Sequence, residues 1–180
     1  MRKIAIMIGS DSDLAQCSYG LEFLKAAQEQ GKALVVSVIT NSIHRNTEEV
    51  LANLRQLSEE GVDILIAGAG MANHLTGTCD AFLRYTLLNT KMIVVGVAFE
   101  DKTNHKHTFA AQLSIKCVPG TQVVYNDKFW GDEGFWEACR FAVDGELPKI
   151  ELKEPKPAKY RSLEDAFNEA KDKSKETEEK

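Results

Sequence analysis

Cysteine is scarce and scattered in this chain. Cys17, Cys79, Cys117 and Cys139 lie far apart and form no C-x-x-C pair. That spacing supplies neither a zinc ligand set nor a disulfide framework, and it suits a reducing compartment, so a cytoplasmic location is expected. No apolar run approaches the ~18 residues that read as a membrane span, so no membrane partner is expected. The opening residues lack a long apolar region followed by small residues, so no secretory signal is expected. Positive charge is not in excess: 22 Lys and Arg stand against 27 Asp and Glu, a formal net charge of -5. That balance argues against nucleic acid as a partner. Several phosphate and hydrolase motifs are missing too. There is no GxxxxGK[ST], no GxSxG, and Gly68-Ala69-Gly70-Met71-Ala72-Asn73 lacks the third glycine of a dinucleotide-binding turn.

What is present centres on one stretch, Ile4-Ala5-Ile6-Met7-Ile8-Gly9-Ser10-Asp11-Ser12-Asp13. The unbroken apolar run suits a strand buried on both faces. Gly9 permits a sharp turn, and serine and aspartate are strong helix N-caps. A strand, a glycine turn and a fresh helix N-terminus form an anion site, because free N–H groups and the helix dipole point at the same spot. Carboxylates repel phosphate, so Asp11 and Asp13 are better placed on hydroxyls. The local reading is a sugar-phosphate site, with Ser10 and Ser12 near the phosphate and Asp13 near the sugar. The plain alternative is a capped helix after a strand.

The remaining chain, 180 residues in all, is enough for one ordinary domain with a full core. Apolar spacing predicts a helix over 13–30 and a Val- and Ile-rich strand over 33–40. Asn46 or Thr47 caps the next helix, with Glu49 as capping-box partner, and it stops near Gly61. A third strand over 62–67 leads into a glycine-rich turn and a helix from Ala72 or His74 to Leu88. A fourth strand over 91–98, a polar loop over 99–107, a short helix over 108–115, a fifth strand over 122–125 and a helix over 131–143 follow. Alternating strands and helices imply a parallel sheet covered on both faces. The fold class expected is a three-layer α/β, flavodoxin-like sheet of five strands in the order 2-1-3-4-5. Ligands of such sheets bind at the carboxyl ends of the strands near the reversal between strands 1 and 3. The tips of strands 1, 2 and 3 would then share one cleft.

From Glu146 the composition changes. Pro148, Pro155 and Pro157 among lysines read as an extended linker. The division expected is an α/β domain over 1–147 and a tail over 148–180. The tail carries one amphipathic helix over 160–170 and a polar, disordered end.

His44 follows a strand tip beside Ser42 and Arg45. Imidazole moves protons near neutral pH, and the guanidinium fork suits phosphate. A surface or core histidine is the plain alternative. His74 opens a helix after a glycine turn, either as a cap or as a site lining. His105 and His107 form an H-x-H near Glu100 and Asp101, but two histidines alone make a weak ligand set, so a solvated loop and no metal are expected.

Three of these segments together resemble the PurE family of purine biosynthesis. Met7-Ile8-Gly9-Ser10-Asp11-Ser12-Asp13 resembles its Met-Gly-Ser-x-Ser-Asp. Ser42-Ile43-His44-Arg45-Asn46-Thr47 resembles its Ser-Ala-His-Arg-Thr-Pro. The stretch from Ala67 through Gly68-Ala69-Gly70 to His74-Leu75-Thr76-Gly77 resembles its Ala-Gly-Ala-Gly-Gly-Ala-Ala-His-Leu-Pro-Gly. Leu113-Ser114-Ile115 resembles a later Leu-Ser-Ile. Three motifs in register are far more specific than one.

The resemblance implies a mutase or carboxylase acting on a phosphorylated aminoimidazole ribonucleotide, without metal or organic cofactor, in a homo-octamer with sites at subunit contacts. Ser10, Asp13 and Arg45 would bind the ribose phosphate, with Asp11 and Ser12 beside them. His44 would be the acid/base. Ser42, Gly68, Ala69, Gly70, His74 and Leu75 would line the pocket. Arg45 and His74-Leu75 favour the mutase subgroup. Alternatives are a direct carboxylase, a paralogue acting on another nucleotide and a non-catalytic nucleotide-binding oligomer. Departures from the family pattern are Ile43, Met71, Asn73 and Thr76, which are expected to crowd the pocket, and an altered 99–111 loop.

Overall fold

The computed structural model describes residues 1–178. The apolar run Ile4 to Ile8, preceded by Arg2 and Lys3, forms β1 (Arg2–Ile8), and β2 (Ala33–Thr40), β3 (Ile64–Ala69) and β4 (Ile93–Ala98) run parallel to it in the order β2-β1-β3-β4. β1 sits between β2 and β3, paired from Ile4↔Ile64 to Ile8↔Gly68 on one side and from Arg2↔Ala33 to Ile8↔Thr40 on the other. Strand periodicity divides its side chains between two cores. Ile4, Ile6 and Ile8 pack with Ile64, Ile66, Val95 and Val97 beneath α1 (Ser18–Glu29) and α5 (Gly131–Asp144). Ala5 and Met7 pack with Leu65, Ala67 and Val94 beneath α2 (Thr47–Glu59) and α3 (His74–Ala81). α1 and α5 approach so closely that a Cβ on Gly20 would lie 2.4 Å from the Phe135 ring. The three-layer parallel α/β architecture expected from the alternation is present.

The fifth strand is not. Among the described residues the sheet has four strands, and Val124 pairs with β4 through an isolated bridge to Val95. Its N–H reaches Val94 O at 2.8 Å, and its carbonyl accepts from Gly96 N–H at 2.9 Å. Pairing is interrupted on both sides of Val124 and resumes only at a second isolated bridge, Ala98 to Trp130. The N–H of Gln122 is taken by the Asp80 carboxylate at 2.8 Å, and the chain turns at 126–129, where Phe129 N–H bonds Asn126 O.

Helix boundaries also depart from the expectation. Residues Asp11–Cys17 form a 3₁₀ helix before α1. Serine and aspartate bind backbone groups locally, which favours a tight turn over an α-helix there. Leu14, expected on the buried face, is exposed. The 99–107 loop is shorter than expected, because Asn104 caps α4 (His105–Lys116) by accepting from Lys106 N–H. α3 passes into a π-helical turn over Phe82–Thr86 rather than continuing as an α-helix to Leu88. The tail helix α6 runs Leu163–Glu178, beyond the 160–170 expected. Glu169 bonds both Arg161 and Lys173, so charge pairing supports a helix poor in apolar residues. The expected disordered end falls partly on 179–180, outside the described residues. No helix among the described residues is long and apolar enough to cross a membrane.

One ion pair ties these parts together. Asp80 and Arg84 are 3% and 2% exposed and meet at 3.0 Å. The guanidinium also donates to Asn89 O at 2.6 Å and Met92 O at 2.8 Å, holding the turn that leads into β4. The other Asp80 oxygen accepts from Gln122 N–H. Removing one member strands the other charge in the core, so Arg84→Ala is expected to cost about 3–5 kcal/mol. Replacing both with apolar residues of similar volume is expected to restore most of the loss. Urea unfolding measures both, and a single substitution within about 0.5 kcal/mol of the parent would show the pair to be solvated.

Candidate active site

The carboxyl ends of β1, β2 and β3 meet at one cavity of about 330 Å³. Each brings a different chemistry. At the β1 tip, Ser10 is extended (φ -156°) and its hydroxyl accepts from Ser12 N–H, weakly, at 3.4 Å, while the two serine hydroxyls lie 2.9 Å apart. Gly9 N–H continues the ladder to Gly68 O at 2.9 Å, and a Cβ on Gly9 would come within 2.9 Å of the Ala69 Cβ. Glycine is therefore required where the two tips touch. Asp13 is half-buried in the cavity wall. Burial pushes its carboxyl above the ordinary range, and the Gly70 backbone N–H opposes that shift.

At the β2 tip, residues 41–46 wind into a turn in which Arg45 and Asn46 N–H both reach Ser42 O. The Asn46 amide, expected to cap α2, instead donates to the buried Asn41 side chain at 3.0 Å. Thr47 Oγ1 donates to Ile43 O at 2.5 Å. This bracing leaves His44 and Arg45 exposed on the cavity side. At the β3 tip, His74 opens α3, and its Nδ1 lies 2.7 Å from His44 Nε2, the rings meeting edge to face with centroids 4.9 Å apart. At that distance one ring donates its N–H and the other accepts, so the two imidazoles are hydrogen-bonded and fix one another's orientation.

Of the residues singled out in the sequence, the cavity gathers Ser10, Ser12, Asp13, Ser42, His44 and Arg45, together with Ala69, Gly70, His74 and Leu75. It does not include Asp11, which is exposed in the 3₁₀ turn, or Gly68. Gly68 serves packing: its absent Cβ would meet the Phe99 ring at 2.7 Å. Gly9, at the sharp turn after β1, and Ala72, among the small residues before α3, line the cavity as well.

Two of the four residues expected to crowd the pocket do not enter it. Asn73 and Thr76 are fully buried. Asn73 donates to Val97 O at 2.9 Å and accepts from Thr76 N–H at 3.1 Å, capping α3. The Thr76 hydroxyl lies 2.9 Å from both Ala67 O and Asn73 Oδ1. The pair stitches α3 to β3 and β4. Ile43 and Met71 do line the cavity.

A further link stabilises the β1 tip. The Gln16 amide donates to Glu100 O at 3.0 Å and accepts from Glu100 N–H at 2.9 Å, clamping the 3₁₀ turn to the end of β4. His107 of the H-x-H is otherwise employed: its Nδ1 bonds Asp101 at 2.7 Å and its Nε2 meets the Asn104 amide at 3.1 Å. Bonds from Thr103 and His107 hold the Asp101 carboxyl well below the usual range. Among the described residues no three His, Cys, Asp or Glu side chains form a metal-ligand group.

A sequence profile of the AIR carboxylase family matches residues 3–124. The chain belongs to that family. Over 120 residues it is 30% identical to the N5-carboxyaminoimidazole ribonucleotide mutase of Thermotoga maritima, covering 67% of this chain and 62% of that protein. Over 102 residues it is 32% identical to the protein of the same name from Pyrococcus abyssi, covering 57% and 52%. The chain thus spans between about half and three fifths of the length of these relatives. The crystal structure of PurE from Treponema denticola superposes with a TM-score of 0.51 at 17% identity, over 79% of this chain and 87% of that one. At that identity the likeness is one of fold.

The Asp13 carboxyl gives a direct test of the cavity wall. A carboxyl raised by folding binds its proton more tightly in the folded than in the unfolded chain. It therefore subtracts stability above its folded pKa and subtracts none below its unfolded value. Asp13→Asn keeps an oxygen for the Gly70 N–H and removes the charge. It is expected to raise Tm at neutral pH, with the gain fading as pH falls through the carboxylate range. Thermal melts across pH measure this, and a pH-independent change would place the effect in packing.

Proposed function

We propose that this protein converts the carboxyamino form of aminoimidazole ribonucleotide into the ring-carboxylated form, as a mutase. The observation that carries this reading is the convergence of the three strand-tip segments on one cavity, with His44 within hydrogen-bond distance of His74. Membership of the AIR carboxylase family and the names of the two relatives supply the reaction class.

Each role follows from the chemistry of the side chain. Ser10, Ser12 and Arg45 bind the phosphate through hydroxyls and a fixed cationic fork. Asp13 accepts from the ribose hydroxyls. His44 is the acid/base. The reaction releases carbon dioxide from the exocyclic nitrogen and recaptures it at a ring carbon, and His44 supplies the proton the nitrogen gains and removes the one the carbon loses. His74, hydrogen-bonded to His44, holds that imidazole in place at the edge of the pocket. Ser42, Ala69, Gly70 and Leu75 shape a pocket that keeps carbon dioxide from solvent. No metal or organic cofactor is needed for these steps. Four free cysteines, three of them buried, suit the reducing cytoplasm.

Turnover tests the reading. The purified protein is expected to convert the carboxyamino ribonucleotide without bicarbonate, and His44→Asn to lose nearly all turnover while ligand binding stays close to normal. Turnover of aminoimidazole ribonucleotide with bicarbonate alone would favour the direct carboxylase. Full activity in His44→Asn would remove the proton-transfer role.

Assembly belongs to the same proposal. An octamer is what the family resemblance implies, and the tail is read as an appendage that docks on a second copy. α6 leaves Leu163 89% and Phe167 63% exposed, an apolar stripe that gains by being covered. Light scattering is expected to give about eight protomer masses for the full chain and a lower mass or melting point for a chain lacking 159–180. Indistinguishable behaviour of the two would leave the tail solvated.

A further inference from the structure

Met71 holds a backbone conformation that its own side chain disfavours. Its φ is +54°, in the left-handed region that glycine enters freely and other residues enter at a cost. Among the described residues one other non-glycine position shares it, Leu88. Leu88 directly follows Leu87, the C-cap of the π-helical turn, where a left-handed residue is an ordinary way to end a helix. Met71 ends no helix. It stands between the tip of β3 and Asn73, the cap of α3.

The strain does nothing for the core. The Met71 side chain is 58% exposed and belongs to none of the buried apolar clusters. It lines the cavity that contains His44 and His74. The other large apolar departure at this cavity, Ile43, behaves differently: it is 9% exposed and packs into the core beneath α2. Glycine would suit the Met71 backbone better, so the side chain's use lies where it is free to act, over the cavity mouth.

We propose that Met71 is a specificity-determining flap, whose flexible thioether lies over the flat face of a bound imidazole base and excludes water from it. The inference rests on the imidazole-ribonucleotide reading given above. A thioether with three rotatable bonds adapts to a ring face and makes favourable sulfur–aromatic contacts. A covered base is what a carbon dioxide intermediate requires, because water at the ring competes for it. A ligand with a phosphate and sugar but no base has nothing for the flap to cover.

Two substitutions separate the side chain from the strain. Met71→Gly removes both, and Met71→Ala removes the side chain while keeping a Cβ at the left-handed position. Met71→Gly is expected to melt about 2–4 °C higher than the parent, the shift typical of ~1 kcal/mol in a chain of this size, and Met71→Ala to melt within about 1 °C of it. By calorimetry, both are expected to bind aminoimidazole ribonucleotide about tenfold more weakly, and ribose 5-phosphate within about twofold of the parent. Parent-like affinity of Met71→Ala for the ribonucleotide overturns the proposal, and so does an equal loss for both ligands, which would place the effect in the shape of the loop. If the parent protein itself fails to bind the ribonucleotide, the function proposed above falls and the flap with it. Parent binding that survives in Met71→Ala removes the flap alone.

Discussion

β1 is hydrogen-bonded on both edges, to β2 on one side and β3 on the other, in parallel. This pairing is what the rest of the molecule depends on. Parallel strands end at the same side of the sheet, and a central first strand places the chain reversal between β1 and β3. The segments that follow Ile8, Thr40 and Ala69 are thereby brought to one cavity although they are about 30 residues apart in sequence. The pairing is held by apolar packing on both faces, which makes the register difficult to shift: a slip of one residue would turn Ile4, Ile6 and Ile8 away from α1 and α5.

Above that scaffold the site is fixed by polar bracing, part of it long-range. The Asn41–Asn46 contact and the Ser42 carbonyl shape the turn that presents His44 and Arg45. The Asn73–Thr76 pair anchors the start of α3, and with it His74, to β3 and β4. The Gln16–Glu100 clamp holds the 3₁₀ turn that carries Asp13. Each bond is modest, typically about 1 kcal/mol net, but each fixes an element bearing a cavity side chain, so the proposed chemistry depends on their geometry more than on their stability.

The three layers and the three strand tips were legible in the sequence because the signals are local. Ile4 to Ile8 ends at a glycine, the Val- and Ile-rich run over 33–40 ends at Asn41 and Ser42, and Ile64 to Ala67 leads into glycine and alanine. The four-strand sheet was not legible. Whether 122–125 becomes a strand is decided by Asp80, some forty residues earlier, which takes the Gln122 N–H. An Asp and an Arg four residues apart in an apolar helix were the available signal for that buried pair. The roles of Asn73 and Thr76 were hidden likewise, since their partners Val97 and Ala67 lie on other elements. The full length of α6 depends on charge pairing rather than apolar period, which is why periodicity stopped it at Ala170.

The central claim is that the three strand tips form one ribonucleotide site. A crystal structure of the protein soaked with the ring-carboxylated aminoimidazole ribonucleotide tests it most directly. The account predicts the phosphate within hydrogen-bond distance of Ser10, Ser12 and Arg45, the ribose at Asp13 and the imidazole ring beside His44. A nucleotide bound away from this cavity, or bound in it with its ring remote from His44, would contradict the account.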